Sequence, residues 1–355
     1  MNEPINKKRL FSLFENLDKN EIMNRPQKTL NSDVLIVDLF NLFIRCYSVF
    51  PNTNENGNLS GGLVGSLKSL AYAIRELKPT RCIVVADGAG GSKRRKQIYP
   101  DYKSGRKNRI RVNRMYAEVN TPDMEEKSMK EQLAKFIAYL HCLPITLISV
   151  DNIEADDTIA YLATTVFNKP ENNVTIMSAD KDFLQLVNKQ VRVWSPTKKK
   201  LYGVSEVVSE YGIHPHNFVL FRCLDGDTSD NIDGIKGAGA KTVIKCFPQI
   251  SEEKTLNVEY LKDHAEATSG KYKLYENVLS EWEIVERNYK LMQLREPDFA
   301  VCHQHGISAR VEMEIRKCNI IEITQRFTYD GIHDQFPLLS NWLRESFGIL
   351  DYYSK

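Results

Sequence analysis

Two short apolar runs, Val34-Leu35-Ile36-Val37 and Cys82 to Ala86, each stop at an aspartate, Asp38 and Asp87. Unbroken apolar runs of this length suit strands covered on both faces. Pro144 to Val150 and Val174 to Met177 supply two more, each separated from the next by helical sequence. Strands alternating with helices imply a parallel sheet in an α/β fold. Sheets of that kind carry their sites at the carboxyl ends of the strands. Asp38, Asp87, Asp180 and Asp182 are all expected there, and four such carboxylates are hard to explain as solvated turns.

Between the last two strands, Glu154, Asp156 and Asp157 open a helix. On a 100° wheel Ala155, Ile159, Leu162, Ala163 and Val166 form one apolar stripe. Asp156 lies at one edge of the stripe and Glu154 at the other. Acids in a first helical turn are favoured by the macrodipole, so a capped surface helix followed by an acidic turn is the plain alternative. Acids gathered at element ends beside apolar segments nevertheless repel one another unless a cation neutralises them.

The 355-residue chain has a net charge of only +2, but the charge is uneven. Residues 93–114 hold ten Lys or Arg against the single acid Asp101, a local +9 that leaves the remainder at −7. An acidic body with one concentrated basic segment points to a polyanionic partner. Tyr99, Tyr102 and Tyr116 interleave with these cations, a pattern in which cations meet phosphates and rings stack on bases. No apolar run reaches the ~18 residues of a membrane span. The N-terminus carries acids and no long apolar core, unlike a secretory signal. Seven scattered cysteines without a Cys-x-x-Cys suit free thiols in a reducing compartment. Cys302-His303-Gln304-His305 lacks a second cluster at metal-ligand spacing.

Ser195 to Lys200 reads as a hairpin turn and Phe218 to Leu224 as a helix. Then comes a third acidic group with Asp227 and Asp230, followed by Gly234-Ile-Lys236-Gly237-Ala-Gly239-Ala-Lys241-Thr242. The latter is the pattern of a helix–hairpin–helix. Its glycines let the backbone approach a phosphate, whose charge meets amide donors at the next helix start. A P-loop is excluded by spacing. The chain divides into an N-terminal extension (1–32), an α/β core (33–215) with a basic insertion at about 90–120, an acidic loop with the hairpin (216–250), and a helical C-terminal region (251–355). In the extension, Lys8 to Leu17 forms an amphipathic stretch suited to packing on the body or docking a partner.

Taken in order, strand-Asp38, strand-Asp87-Gly, Glu154-Ala-Asp156-Asp157, Ser178-Ala-Asp180-Lys-Asp182-Phe183 and Gly226-Asp227-x-x-Asp230-Asn231 before the hairpin resemble the flap endonuclease and 5′→3′ exonuclease family. Within that family they look closest to the T-even phage RNase H type. The resemblance covers about residues 33–250 and implies an α/β, PIN-like 5′-nuclease fold with a central mainly parallel sheet, a helical arch and a helix–hairpin–helix. It implies two Mg²⁺ ions, replaceable by Mn²⁺, with Asp38, Asp87, Asp156 and Asp180 around the first. Asp182, Asp227 and Asp230 would surround the second, with Glu154 and Asp157 between or outside. It implies catalytic roles for Lys103, Arg94, Arg95, Asp156 and Asp157. DNA would be held by Lys93, Arg94, Arg95, Tyr99, Tyr102, Lys103, Arg106 and Lys107 at the arch, and by Gly234, Lys236, Gly237, Gly239, Lys241 and Thr242 at the hairpin, which can also carry a K⁺. The expected activity is 5′→3′ exonuclease, flap endonuclease and RNase H, removing RNA primers and 5′ flaps during replication in a bacterial or phage-infected cytoplasm. A sliding clamp and a single-stranded-DNA-binding protein are the expected partners of a monomer. The competing readings are a non-catalytic structure-specific DNA-binding protein and a PIN-like ribonuclease.

Overall fold

A computed structural model describes residues 28–105, 113, 121–268 and 270–355. Six strands form one sheet: β1 (Asp33–Asp38), β2 (Arg81–Asp87), β3 (Thr146–Val150), β4 (Asn173–Met177), β5 (Val191–Ser195) and β6 (Lys200–Tyr202). Their order is β3-β2-β1-β4-β5-β6. The first five are parallel, and only β6 runs back against β5, which makes Ser195 to Lys200 the expected hairpin.

The alternation of side chains along each strand builds two cores. Val34 and Ile36 of β1, Ile83 and Val85 of β2 and Val174 and Ile176 of β4 face one side. Leu35, Val37, Cys82, Val84 and Met177 face the other. The helices are α1 (Leu39–Val49), α2 (Gly61–Leu77), α3 (Lys93–Ile98), α4 (Pro122–Leu140), α5 (Ala155–Tyr161), α6 (Val204–Tyr211), α7 (Phe218–Asp225) and α8 (Ala240–Cys246). The C-terminal region adds α9 (Glu259–Ala267), α10 (Lys273–Ser280), α11 (Trp282–Met292), α12 (Val301–Glu312), α13 (Ile320–Tyr329) and α14 (Leu339–Tyr352). Residues of α5, α7, α8 and α9 to α12 complete the first core. Residues of α1, α2, α4, α13 and α14 complete the second. The C-terminal hundred residues thus supply apolar surface to both faces, which the sequence left open. Among the described residues no helix is long and apolar enough to cross a membrane.

The C-terminal region also ties down the Asn-rich loop at 51–58. Asn54 Nδ2 donates to the Asp330 carbonyl at 3.0 Å, Glu55 N to the Gly331 carbonyl at 2.9 Å, and Gln335 Nε2 to the Thr53 carbonyl at 2.7 Å. Asp330 is itself buried, with Tyr139 Oη 2.9 Å and Lys135 Nζ 2.9 Å away.

One sequence expectation is revised here. The stripe from Ala155 to Val166 is not one continuous α-helix: α5 ends at Tyr161, and Leu162–Val166 widens into a π turn. Burial is also broader than one stripe, because Asp157, Thr158 and Ala160 are covered as well as Ala155 and Ile159.

Candidate active site

The carboxylates at the strand ends begin as caps. Asp38 ends β1 and accepts the Asn41 amide of α1 at 3.0 Å. Asp87 ends β2 and accepts the Ala155 amide, the first of α5, at 2.7 Å. Asp180 follows β4 and accepts the Asp182 amide at 2.8 Å. The capping expected of the acids that open α5 is not what is found: Glu154 makes no side-chain cap hydrogen bond, α5 is largely buried, and Asp87 from β2 takes the Ala155 amide instead. Parallel strands and right-handed crossovers bring these caps to the same end of the sheet. There Asp38, Asp87, Asp156, Asp180 and Asp230 line one cavity of about 590 Å³, together with Lys103, Asn41 and Arg45. A close approach is required beside it, because a Cβ on Gly88 would run into the Val150 carbonyl.

The charges fall into two groups. Asp38, Asp156 and Asp180 form no ion pair among the described residues, although Lys103 favours the charged form of Asp38 and Asp156. Burial pushes the Asp38 carboxyl up to about 6, and Asp87 adds to this while the Asn41 amide opposes it. Burial, then repulsion from Asp182, pushes Asp180 up to about 7. Burial and Asp180 raise Asp156 well above the ordinary range. Carboxylates that resist ionisation together favour either a proton or a cation between them.

The second group is neutralised from within. Arg95, 3% exposed, pairs with Glu154 and also reaches Asp157 at 2.9 Å. Tyr102 Oη donates toward Glu154 at 3.2 Å, and Lys103 Nζ lies 2.6 Å from the same carboxylate. Burial opposes ionisation of Glu154, yet Arg95 and Lys103 outweigh it and hold the group below its usual range. Arg222, on α7 and 4% exposed, does the same on the other side. Its guanidinium meets Asp182 at 2.6 Å, Asp227 at 2.8 Å and Asp225 at 3.2 Å, and donates to the Gly226 carbonyl at 2.9 Å. Burial still raises Asp182, with Arg222 opposing. For Asp227, burial is outweighed by the Ser229 hydrogen bonds and Arg222, and its carboxyl lies below the usual range.

The structure reassigns two residues expected to contact DNA. Arg95 is enclosed by Glu154, Asp157 and the Leu291 carbonyl, 2.9 Å from its Nε, so its charge is spent inside the protein. Tyr102 is buried with its hydroxyl between Glu154 and Asp230, leaving no ring face for a base. Tyr99 already carries the Arg287 guanidinium 4.2 Å from its ring. Arg94 reaches Asp157 at 3.4 Å, and Lys93 reaches Asn152 at 3.3 Å. Asp157 faces these arginines and is absent from the cavity lining. Arg106, Lys107, Tyr116, the rest of the expected arch and the stretch from Lys8 to Leu17 lie outside the described residues.

Gly226 to Gly239 connect α7 to α8. Asp227 and Ile232 exchange backbone hydrogen bonds, both 2.8 Å, which folds the acidic loop onto itself. Gly237 has φ +86°, and Cβ atoms built on Gly237 or Gly239 would meet nothing within 4 Å. Lys236, Lys241 and Thr242 are exposed there, while Gly234 packs against the Asp225 carbonyl.

Sequence reasoning missed Arg222 and Ser178. The signal for Arg222 was a lone cation in an apolar helix just before an acidic loop. Ser178 Oγ donates to Asp38 Oδ2 at 3.2 Å and accepts the Asp180 amide at 3.1 Å, joining the ends of β1 and β4.

Asp, Glu and carbonyl oxygens are hard donors suited to Mg²⁺ or Mn²⁺. The acids around the cavity fit such an ion. Among the described residues, no three His, Cys, Asp or Glu side chains form a compact metal-binding cluster.

A mainly parallel sheet with acids at its carboxyl ends and a helix–loop–helix alongside defines a PIN-like 5′ nuclease. Residues 33–212 match the family described as the 5′-3′ exonuclease, N-terminal resolvase-like domain, and the chain belongs to that family. A 5′-3′ exonuclease of Aquifex aeolicus is 30% identical over 68% of this chain and 70% of its own length. A flap endonuclease, Xni, of Shewanella woodyi is 30% identical over 61% of this chain and 79% of its own. The match to DNA polymerase I of Mycobacterium tuberculosis, 32% identical, spans 67% of this chain but only 25% of the polymerase. Among solved structures, the bacteriophage T5 D15 flap endonuclease, in a complex with DNA and metal ions, superposes with a TM-score of 0.57. It is 21% identical and covers 90% of this chain and 99% of its own. This likeness is one of fold.

Proposed function

We propose that this nuclease hydrolyses phosphodiester bonds near the 5′ ends of DNA flaps and of RNA primers on DNA, using two divalent cations. The observation that carries the reading is the set of five aspartates, Asp38 buried and Asp156, Asp180 and Asp230 half-buried, lining one cavity beside Lys103. When bound, Mg²⁺ or Mn²⁺ supplies Lewis acidity toward water and phosphodiester. Asp38, Asp87, Asp156 and Asp180 would hold one ion. Asp182, Asp227 and Asp230 would hold the other, with Arg222 keeping Asp182 and Asp227 in register. Glu154 aims the Lys103 ammonium, which offsets phosphate charge as the bond breaks. Arg95 and Tyr102 hold Glu154 in place and exclude water beneath it. The exposed 234–242 turn takes the backbone of the duplex, with sequence-independent contacts that weaken as salt rises. A K⁺ on its carbonyls would strengthen that grip. The polymerase I and flap endonuclease relatives support a role in removing primers and flaps during replication.

The test is cleavage of a 5′-labelled flap on duplex DNA, with Mg²⁺ and with EDTA, beside an RNA–DNA primer junction and single-stranded RNA. Metal-dependent cuts at the flap and primer junctions are expected. Tight flap binding without a cut in either Mg²⁺ or Mn²⁺ would overturn the reading in favour of a non-catalytic binder. Preferential cutting of free single-stranded RNA would favour a general ribonuclease.

A further inference from the structure

The C-terminal helices lie directly behind the 234–242 turn. Asn277 Nδ2 of α10 donates to the Lys236 carbonyl at 2.8 Å, and Tyr275 Oη donates to the Cys246 carbonyl at the end of α8 at 2.5 Å. Leu274, Tyr275 and Val278 share a core with Ile235, Ala238 and Val243. The turn, α8 and the start of α10 are therefore packed together as one unit.

Their outer surface is basic. Lys236, Lys241 and Lys245 are exposed on the turn and α8, and Lys271 and Lys273 are exposed at the start of α10. Tyr272 sits between the two sets. The Lys245 ammonium lies 5.0 Å from its ring centroid and the Lys271 ammonium 5.6 Å from the same ring. Two cations thus lie close to one aromatic ring, each gaining a modest attraction to it. Both also act on the Cys246 thiol: burial raises it, and Lys245 and Lys271 oppose that rise. Among the described residues, none of these five lysines is ion-paired with a carboxylate; the acids next to them in sequence are Asp233, three residues before Lys236, and Glu276, three residues after Lys273, both exposed. A rigid platform that gathers unneutralised lysines, next to a turn with open space above Gly237 and Gly239, suits a ligand with regularly spaced negative charge.

We propose that Lys245, Lys271 and Lys273, ordered by Tyr272, form a second phosphate-binding platform that continues the 234–242 turn along the backbone of duplex DNA. The proposal rests on the reading of that turn as a duplex-binding element and extends it by residues outside the acidic loop and the turn. Tyr272 acts as a positioning residue: its ring restrains two neighbouring ammonium groups, so less side-chain freedom is lost when phosphate arrives.

The experiment is fluorescence anisotropy of a labelled blunt duplex with the full chain in EDTA, between about 50 and 200 mM NaCl. The Lys245→Ala, Lys271→Ala, Lys273→Ala triple variant is compared with wild type and with a Lys236→Ala, Lys241→Ala control. The slope of log affinity against log salt should become shallower by about 0.9 for each lysine that meets a phosphate. The triple variant should keep the wild-type thermal midpoint. Tyr272→Phe should keep the wild-type slope, and Tyr272→Ala should lose part of it. A triple variant with an unchanged slope, while the control is shallower, overturns the proposal and leaves the turn's role intact. A flat salt response in wild type and control alike overturns both.

Discussion

Replacing Arg222 by Met removes one guanidinium and keeps most of the apolar stem. In the native chain this group touches Asp182 at 2.6 Å and Asp227 at 2.8 Å, and its own side chain is 5% exposed. Losing one partner of a buried pair costs about 3–5 kcal/mol, because a charge remains without its counterion. The two aspartates are 19% and 20% exposed, so solvent screens part of this and the lower end, about 3 kcal/mol, is expected. Asp225, at 37%, is left out of the sum. Globular proteins unfold with about 2.1 cal/mol/K of entropy per residue, so this 355-residue chain carries about 0.7 kcal/mol/K. The midpoint in scanning calorimetry with EDTA should therefore fall by about 4 °C. Arg222→Lys should fall by nearly as much, since one ammonium cannot span two carboxylates and the Gly226 carbonyl. Pairing Arg222→Met with Asp182→Asn should recover part of the loss, as a double-mutant cycle reads coupling directly. If two ions bind as proposed, Mg²⁺ should narrow the gap between variant and wild type. A fall below about 1 °C in EDTA, with no coupling to Asp182, would refute the claim that Arg222 neutralises this half of the site.

Asp156→Asn should abolish cleavage while leaving duplex affinity unchanged in anisotropy, because the turn at 234–242 is untouched. The same substitution should raise the midpoint of the metal-free protein in calorimetry, since it deletes a half-buried charge that repels Asp180. With EDTA, stability should fall as pH rises from about 4 to about 7 in urea titrations. Asp38 and Asp180 are pushed from 3.8 up to about 6 and about 7, so the folded state binds more protons than the unfolded one across that window. Asp180→Asn should flatten that slope. Gly226→Ala should lower the midpoint sharply, because φ is +74° and a Cβ would sit 2.5 Å from the Gly234 amide nitrogen. Gly239→Ala should leave the midpoint in place, the Cβ meeting nothing within 4 Å, and weaken duplex binding measured by anisotropy.

The sheet was legible because burial on both faces forces strands such as Val34 to Val37 to be apolar throughout, and the position of Asp38 and Asp87 then followed from topology. The acids were legible as a set, and five of the nine expected metal ligands line one cavity. Which acids stand free and which are neutralised was not legible. That depends on where Arg95 and Arg222 point, and a basic run looks the same in sequence whether a given cation faces solvent or core. Arg95 sits among residues chosen for charge, yet it is the one buried residue of α3. The C-terminal helices were opaque for a different reason: their apolar residues complete cores begun elsewhere, so no local period reveals the partner surface.

Arg95 also fixes how much of the gene must be read. Its Nε is held by the Leu291 carbonyl, and Gln185, just beyond Asp182, is held by the Met292 carbonyl and the Leu294 amide. A stop codon anywhere between positions 251 and 290 would leave every carboxylate of the site encoded. The truncated product would nevertheless lack the backbone groups that seat Arg95 and Gln185. Such alleles should behave as nulls, and in a screen for lost activity they should be as frequent per codon as stops within the first 250 positions.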